Sequence, residues 1–196
     1  MEIKMDIISE LNGKRILIWG YGREGKATEH FLQRCVKPAS VDIFEGKKEE
    51  IDEDDYDFII KSPGIVMNEE NPKYTSETEL FLQQFRDQVI GITGTKGKST
   101  TSAMLYTVLK ACSSRPVLLL GNIGQPCLDY FEEVTEDTII VYEMSCHQLA
   151  HTNVSPHIAI FLNLYEEHLD YYGTVEKYFE AKSHIAAYQK SGDYFF

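Results

Sequence analysis

The chain has 196 residues, of which 43% are hydrophobic and 12% aromatic, so it can bury one good core or two small ones. Its net charge of −12 argues against a general nucleic-acid binder, because neutralising phosphates requires a cationic surface. No apolar run approaches the roughly 20 residues that span a bilayer, and the first residues lack the apolar segment of a secretory signal. Four scattered cysteines without a C-x-x-C pair fit a reducing compartment, so we predict a cytoplasmic protein with no membrane span.

The first predicted unit begins with a buried strand over residues 14–19. It runs into the glycine turn Gly20-Tyr21-Gly22-Arg23-Glu24-Gly25, and a helical pattern follows through Cys35. Further strands are predicted at residues 41–44 and 58–60, the break Ser62-Pro63-Gly64 ends the latter, and a helix over residues 76–85 closes the unit. This is a strand, turn and helix arrangement typical of a nucleotide-binding α/β unit.

A second unit follows with the same alternation. A strand over residues 89–93 enters another glycine-bearing loop, and a long helix begins near Lys98. Later strands are predicted at residues 117–120, 138–142 and 157–162, with a helix over residues 175–188. Because strands that alternate with helices form parallel sheets, we predict an α/β fold with two domains. These are a Rossmann-like parallel-sheet domain over residues 1–87 and a partial P-loop ATPase-type parallel-sheet domain over residues 88–196.

The strongest chemical signal is the loop of the second unit, which reads G-I-T-G-T-K-G-K-S-T-T over residues 91–101. Its glycines let backbone N–H groups converge on an anion, the following helix N-terminus adds partial positive charge, and Lys98 adds a full one. The general phosphate loop has glycine five residues before Gly97, where this chain has Ile92. The loop is therefore predicted to bind phosphate in a family-specific form.

Five segments, taken together, resemble the Mur ligase family. Thr93–Thr100 resembles its ATP loop T-G-T-x-G-K-[ST]-T, and Gly121–Gly124 resembles its G-N-I-G. Residues 143–149 resemble the E-x-S-S-x-Q-L of the D-glutamate-adding branch, with Cys146 in place of the second serine. Residues 163–170 resemble N-x-[ST]-x-D-H-x-D, with Tyr165 and Glu167 as departures, and residues 178–182 resemble Y-x-x-A-K.

The resemblance implies ATP and Mg²⁺ as cofactors. The implied ATP-binding residues are those of the loop, namely Gly94, Thr95, Lys96, Gly97, Lys98, Ser99 and Thr100. Glu143 follows an apolar strand, so its carboxylate is expected at the carboxyl end of the sheet beside the loop, where ligand sites form. The implied catalytic residues are Lys98, Glu143, His168 and Lys182, and the implied metal ligands are Ser99, Glu143, His168 and Lys182, the last as a carbamate.

The first glycine loop has two readings. Gly20-x-Gly22-x-x-Gly25 with Glu45 at the end of a strand fits a dinucleotide fingerprint. In the Mur family a similar turn receives the UDP of the substrate, and Ser62–Ile65 resembles the S-P-G-I of the D-glutamate-adding branch. The implied UDP-sugar residues are Gly22, Arg23, Glu24, Glu45, Ser62, Pro63, Gly64, Asn122, Ser145 and Gln148. His147 and His151 lack a third ligand at zinc spacing and are predicted to be structural.

The resemblance implies a ligase of peptidoglycan precursor synthesis, with UDP-N-acetylmuramoyl-L-alanine and D-glutamate as substrates and an acyl phosphate as intermediate. Family members carry more of the central domain and a third domain that binds the amino acid, so we expect this chain alone to be an inactive, monomeric fragment. Three alternatives remain open here: another Mur ligase, an NAD-dependent dehydrogenase or redox sensor that uses the first loop, and a non-catalytic nucleotide-binding switch.

Overall fold

The computed structural model of the chain describes residues 6–67, 71–167 and 169–196. Its strands form one sheet of four strands and one of five, and each pairing between the described strands is parallel. The predicted α/β class with two parallel sheets is confirmed. Within the described residues, no helix is both long and apolar enough to cross a membrane.

The first sheet has the strand order β2-β1-β3-β4. Its strands are β1 (Arg15–Trp19), β2 (Ser40–Phe44), β3 (Phe58–Lys61) and β4 (Tyr74–Thr75). The helices of this part are α1 (Ile7–Leu11), α2 (Arg23–Cys35) and α3 (Glu77–Phe85), with short 3₁₀ turns at Lys48–Glu50 and Glu53–Asp55. Strand β1 is buried along four of its five residues, as expected for a strand with neighbours on both sides.

The second sheet has the strand order β6-β7-β5-β8-β9. Its strands are β5 (Val89–Thr93), β6 (Val117–Gly121), β7 (Ile139–Glu143), β8 (Ile158–Phe161) and β9 (Tyr194–Phe195). The helices are α4 (Lys98–Cys112), α5 (Cys146–Leu149), α6 (Leu169–Tyr172) and α7 (Val175–Ala187), with 3₁₀ helices at Arg86–Gln88 and Leu128–Glu133. The first of these 3₁₀ helices contains the predicted domain boundary, which stays a prediction.

The predicted strands and long helices agree with the structure to within one or two residues. Besides the 3₁₀ helices, the short elements α1, β4, α5 and α6 were not predicted. Each has five residues or fewer, so none is long enough to establish a hydrophobic period in the sequence.

The apolar core is continuous between the two sheets. Phe31 of α2 packs against Phe131 with ring centroids 4.7 Å apart, and Phe131 packs against Phe85 of α3 at 4.9 Å. These residues belong to one buried cluster that also contains Ile18 of the first sheet and Ile140 of the second. The two sheets are therefore fixed relative to each other by buried aromatic contacts.

We expect Phe31→Ala to lower the free energy of unfolding by about 3–5 kcal/mol, because it removes a fully buried aromatic ring from this contact. Urea denaturation followed by circular dichroism measures the change. Met104→Ala, at a position 64% exposed on α4, serves as the control and should shift stability by no more than about 0.5 kcal/mol. Equal effects of the two substitutions would show that Phe31 does not join the two sheets.

Candidate functional site

The loops predicted to bind ligands follow the carboxyl ends of central strands. Strand β1 leads into the first glycine turn, and β5 leads into the phosphate loop. In register, Ile92 of β5 lies beside Glu143 of β7, and Glu143 lies beside Gly121 of β6. The end of a parallel sheet where neighbouring connections diverge is where ligands bind in such folds. The predicted position of Glu143 next to the phosphate loop agrees with this register.

The phosphate loop takes a shape that depends on its glycines. Gly94 has φ +149° and Gly97 has φ +86°, and Gly97 is the residue that precedes the first turn of α4. Lys98 folds back over the loop and donates hydrogen bonds to the carbonyl oxygens of Gly94 (2.9 Å) and Thr95 (3.1 Å). The amine of Lys98 therefore lies over the loop in which it is predicted to contact a phosphate.

Asn163, which follows β8, holds the loop from the other side. Its carbonyl oxygen accepts from the N–H of Thr95 at 3.0 Å, and its side-chain oxygen accepts from the N–H of Lys96 at 2.9 Å. Its side-chain amide in turn donates to the carbonyl oxygen of Lys96 at 2.9 Å. The sequence placed Asn163 in a matching segment but gave it no role; in the structure it fixes the loop backbone.

Glu143 has one satisfied and one unsatisfied carboxylate oxygen. The residue is fully buried, and its Oε1 accepts a hydrogen bond from the side-chain amide of Asn122 at 2.8 Å. Its Oε2 is buried and has no hydrogen-bond partner among the described residues. A buried carboxylate oxygen without a donor carries a large desolvation penalty, which a bound cation offsets. This arrangement fits a hard divalent cation such as Mg²⁺.

The other predicted metal ligands differ from Glu143 in exposure and in whether the structure describes them. Ser99 is exposed in the first turn of α4, where its hydroxyl is accessible to a ligand. His168 lies outside the described residues. The described part of the chain contains no cluster of three or more His, Cys, Asp or Glu residues that could hold a metal by itself. Metal binding by Glu143 and Ser99 therefore stays a prediction.

Lys182 lies beneath the phosphate loop and is 1% exposed. Its amine donates to the carbonyl oxygen of Gly94 at 3.0 Å and lies 5.0 Å from the ring centroid of Tyr178. The pKa of Lys182 is lowered to about 8, chiefly by burial and also by the charge of Lys98, against the opposing effects of Cys146 and Glu167. Near neutral pH, a fraction of this amine is therefore uncharged and nucleophilic.

A cavity of about 280 Å³ is lined by residues of both units, and one of them, Asn122, bonds to Glu143. Six of the predicted UDP-sugar residues line it together: Glu24, Pro63, Gly64, Asn122, Ser145 and Gln148. His147 and Tyr171 complete the lining, and their rings meet edge to face with centroids 4.3 Å apart. His147, which was predicted to be structural, thus lies in the lining of the cavity, and Tyr171 was not singled out; a role for either in binding is not tested.

Four predicted UDP-sugar residues do not line this cavity. Arg23 instead donates to the carbonyl oxygen of Gly124 at 2.8 Å, and Ser62 donates to the carbonyl oxygen of Gly20 at 2.9 Å. Gly22 precedes the first turn of α2, and Glu45 is exposed after β2. Because these residues shape the loops around the cavity or lie farther along the same edge, their contacts with a ligand stay predictions.

The segment S-C-H-Q, residues 145–148, has a structural reason for its spacing. Ser145 and Gln148 form a reciprocal capping box at the start of α5, in which each side chain bonds to the other's backbone N–H. The remaining amide of Gln148 donates to Glu24 of α2 at 2.8 Å. One side chain thus caps a helix of the second unit and reaches across to the first glycine turn.

Comparison with known proteins supports the family. The model of the Mur ligase middle domain matches residues 92–196. A UDP-N-acetylmuramoylalanine–D-glutamate ligase of Clostridium kluyveri is 36% identical over 170 residues, which cover 83% of this chain and 37% of that protein. Ligases of the same name from Oenococcus oeni (31% identical, covering 92% of this chain and 45% of that one) and Streptococcus agalactiae serotype III (32%, covering 97% and 49%) also match. The chain belongs to the Mur ligase family.

The chain spans less than half the length of each of these three relatives. Among solved structures, the UDP-N-acetylmuramate:L-alanyl-gamma-D-glutamyl-meso-diaminopimelate ligase from Neisseria meningitides superposes with a TM-score of 0.55. It is 17% identical, and the match covers 93% of this chain and 70% of that one. At this identity the likeness confirms the fold.

We expect Gly97→Ala to lower the free energy of unfolding by about 1–2 kcal/mol, because an L-residue is strained at this positive φ. An added Cβ would meet its nearest atom, in Leu162, at an ordinary 3.6 Å, so the loss reports backbone strain rather than a clash. Gly64→Ala, with nothing within 4 Å and no positive φ, is the matched control and should change stability by no more than about 0.5 kcal/mol. Urea titration of both variants measures the difference; a Gly97 variant as stable as the Gly64 control contradicts the prediction.

Proposed function

We propose that the chain is the nucleotide-binding part of an ATP-dependent ligase that adds D-glutamate to UDP-N-acetylmuramoyl-L-alanine. One observation carries the proposal: Asn122 lines the cavity and also donates a hydrogen bond to Glu143 beside the phosphate loop. A substrate in the cavity and a triphosphate on the loop would therefore meet at this pair. The names of the curated relatives support D-glutamate as the incoming amino acid.

The phosphate loop would hold ATP. The N–H groups at the N-terminus of α4 would face the phosphates, while those of Thr95 and Lys96 donate to Asn163, and Lys98 would exchange its two carbonyl acceptors for phosphate oxygens. The hydroxyl of Ser99 and the unpartnered Oε2 of Glu143 would hold Mg²⁺, with His168 as a further ligand. When bound, the metal neutralises charge on the transferring phosphoryl group.

Lys182 would contribute as a carbamate. Its lowered pKa leaves a fraction of uncharged amine, whose nitrogen can bond to the carbon of CO₂ and release a proton, giving an anionic carbamate with two oxygens. As an ammonium the side chain would repel a cation beside Lys98 and the loop. Carbamylation thus converts a buried positive charge into a negative one at the point where a metal site needs an oxygen ligand.

The reaction proceeds by positioning and charge control. The cavity holds the UDP-sugar so that its terminal carboxylate points toward Asn122 and the phosphate loop, and that carboxylate attacks the γ-phosphate to give an acyl phosphate. Lys98 and the loop amides stabilise the charge that builds up on the phosphoryl oxygens. The amine of D-glutamate then displaces phosphate and forms the amide. No side-chain nucleophile is needed.

We expect Lys98→Ala to weaken ATP binding by about tenfold or more, because hydrogen bonds to a charged group contribute about 1.5–3 kcal/mol. Lys110→Ala removes a lysine near the far end of the same helix, whose amine contacts Tyr106, and should leave ATP affinity unchanged. Isothermal titration with a non-hydrolysable ATP analogue and Mg²⁺ measures both. If the two variants bind alike, Lys98 does not contact the nucleotide.

The activity itself is tested on the protein encoded by the complete gene, by phosphate release with UDP-N-acetylmuramoyl-L-alanine and a panel of amino acids. D-glutamate should stimulate release most strongly, and stronger stimulation by another amino acid would overturn the assignment.

Lys182→Arg cannot form a carbamate and should lose nearly all release while still binding ATP. Wild-type release by this variant would remove the carbamate from the proposal.

A further inference from the structure

The carboxyl groups of Glu77 and Glu24 lie close together where the two units meet. The proposed mechanism gives neither of them a chemical step. Glu77 is the first residue of α3 and is 2% exposed, and its Oε1 accepts from the N–H of Leu128 at 2.9 Å. Glu24 of α2 lines the cavity, and its Oε1 accepts from the amide of Gln148 at 2.8 Å. The carboxyl of Glu77 lies within hydrogen-bonding reach of Glu24.

The state of the second oxygen of Glu24 indicates how the two carboxyl groups interact. Glu24 Oε2 is buried and has no donor among the described residues. Two ionised carboxylates cannot bond to each other, whereas a carboxyl group donates to a carboxylate and satisfies such an oxygen. One proton held between Glu24 and Glu77 would provide a donor for this pair.

Burial and charge both keep a proton at this place. Burial raises the pKa of Glu77 well above its usual range, and the nearby charge of Glu24 raises it further. Burial also raises the pKa of Glu24. The other titratable or charged groups that face the pair are Arg23 of α2, Lys61 of β3, Asp129 and Cys127 beside the 3₁₀ helix, and Tyr142 of β7. The two cations only partly oppose the effect of burial on Glu24.

We infer that Glu77 is a positioning residue for the nucleotide-sugar cavity, which holds Glu24 against Gln148 by sharing one proton with it. The inference rests on the proposed function for the identity of the ligand, though the carboxyl pair itself does not. With the proton in place, Glu24 joins the first glycine turn to α5 and forms a fixed wall of the cavity. Without it, two buried negative charges repel, Glu24 leaves Gln148, and an anionic diphosphate meets an added negative charge.

The direction of the pH dependence follows from the raised pKa values. The folded chain keeps a proton that the unfolded chain releases, so the stabilisation is complete below the usual carboxyl range. It is lost as pH rises through the raised pKa of the pair. Ligand affinity should fall over the same upper part of the range, because the diphosphate diester of a UDP-sugar does not itself titrate there.

The first experiment needs no ligand. Urea unfolding of the wild-type chain and of Glu77→Gln is followed from about pH 5 to about pH 9. The amide of this variant donates to Glu24 at every pH and still accepts from Leu128. We therefore expect the wild-type midpoint to fall with rising pH and the variant to lose that part of the slope, whereas Glu77→Ala should be destabilised at all pH values. Equal slopes in the wild type and in Glu77→Gln would overturn the shared proton.

The second experiment measures binding of UDP-N-acetylmuramoyl-L-alanine by isothermal titration over the same pH range. Wild-type affinity should fall as pH rises, by about tenfold for each unit by which ligand binding changes the pKa of the carboxyl pair. The affinity of Glu77→Gln should stay constant over the same range. Glu79→Gln is the matched control: it is also buried on α3, but its oxygens accept from Thr75 and Asn153 rather than from a carboxyl group. This variant should keep the wild-type pH dependence.

The two experiments separate the two claims. If the wild-type chain does not bind the UDP-sugar at any pH, the proposed ligand fails, and the unfolding profiles alone still decide the carboxyl pair. If binding is seen but its pH dependence is the same in the wild type and in Glu77→Gln, Glu77 supports only the fold and the positioning role is wrong.

Discussion

The parallel alignment of β6, β7 and β5 is the constraint on which the candidate site depends. Parallel strands end at the same edge of a sheet, so the three chain segments that follow them must meet there. The register sets Gly121, Glu143 and Ile92 side by side, and the residues just beyond provide Asn122 and the phosphate loop. Three short segments distant in sequence thus become one site without any long connection.

Desolvation gives this edge its chemical character. Glu143 and Lys182 are both buried; one oxygen of Glu143 has no donor among the described residues, and burial lowers the pKa of Lys182. The protein tolerates such groups where a ligand or a change of protonation completes them. Glu24 resembles Glu143 in having a buried carboxylate oxygen without a donor among the described residues. In the proposal, a proton shared with Glu77 stabilises Glu24, whereas a cation would stabilise Glu143.

Sequence reasoning identified what long patterns encode. The buried strands and the long helices were predicted closely because their apolar runs are long enough to be distinctive, and the phosphate loop because its glycines and Lys98 occur together. The short helices α5 and α6 carry no such period, and they bring His147 and Tyr171 into the cavity. Glu77 was missed for another reason: a glutamate at a helix start is ordinarily solvated, whereas this one is buried and accepts from the N–H of Leu128, which is distant in sequence.

The hydrogen bonds that join Asn163 to Thr95 and Lys96 bear on how the loop would bind the proposed nucleotide. Three hydrogen bonds fix the backbone of Thr95 and Lys96, two donated by their N–H groups and one accepted by the carbonyl oxygen of Lys96. The conformational entropy of ordering those residues is therefore lost during folding rather than at the moment of encounter. If the loop binds an anion as proposed, little of the binding free energy is lost to ordering the loop.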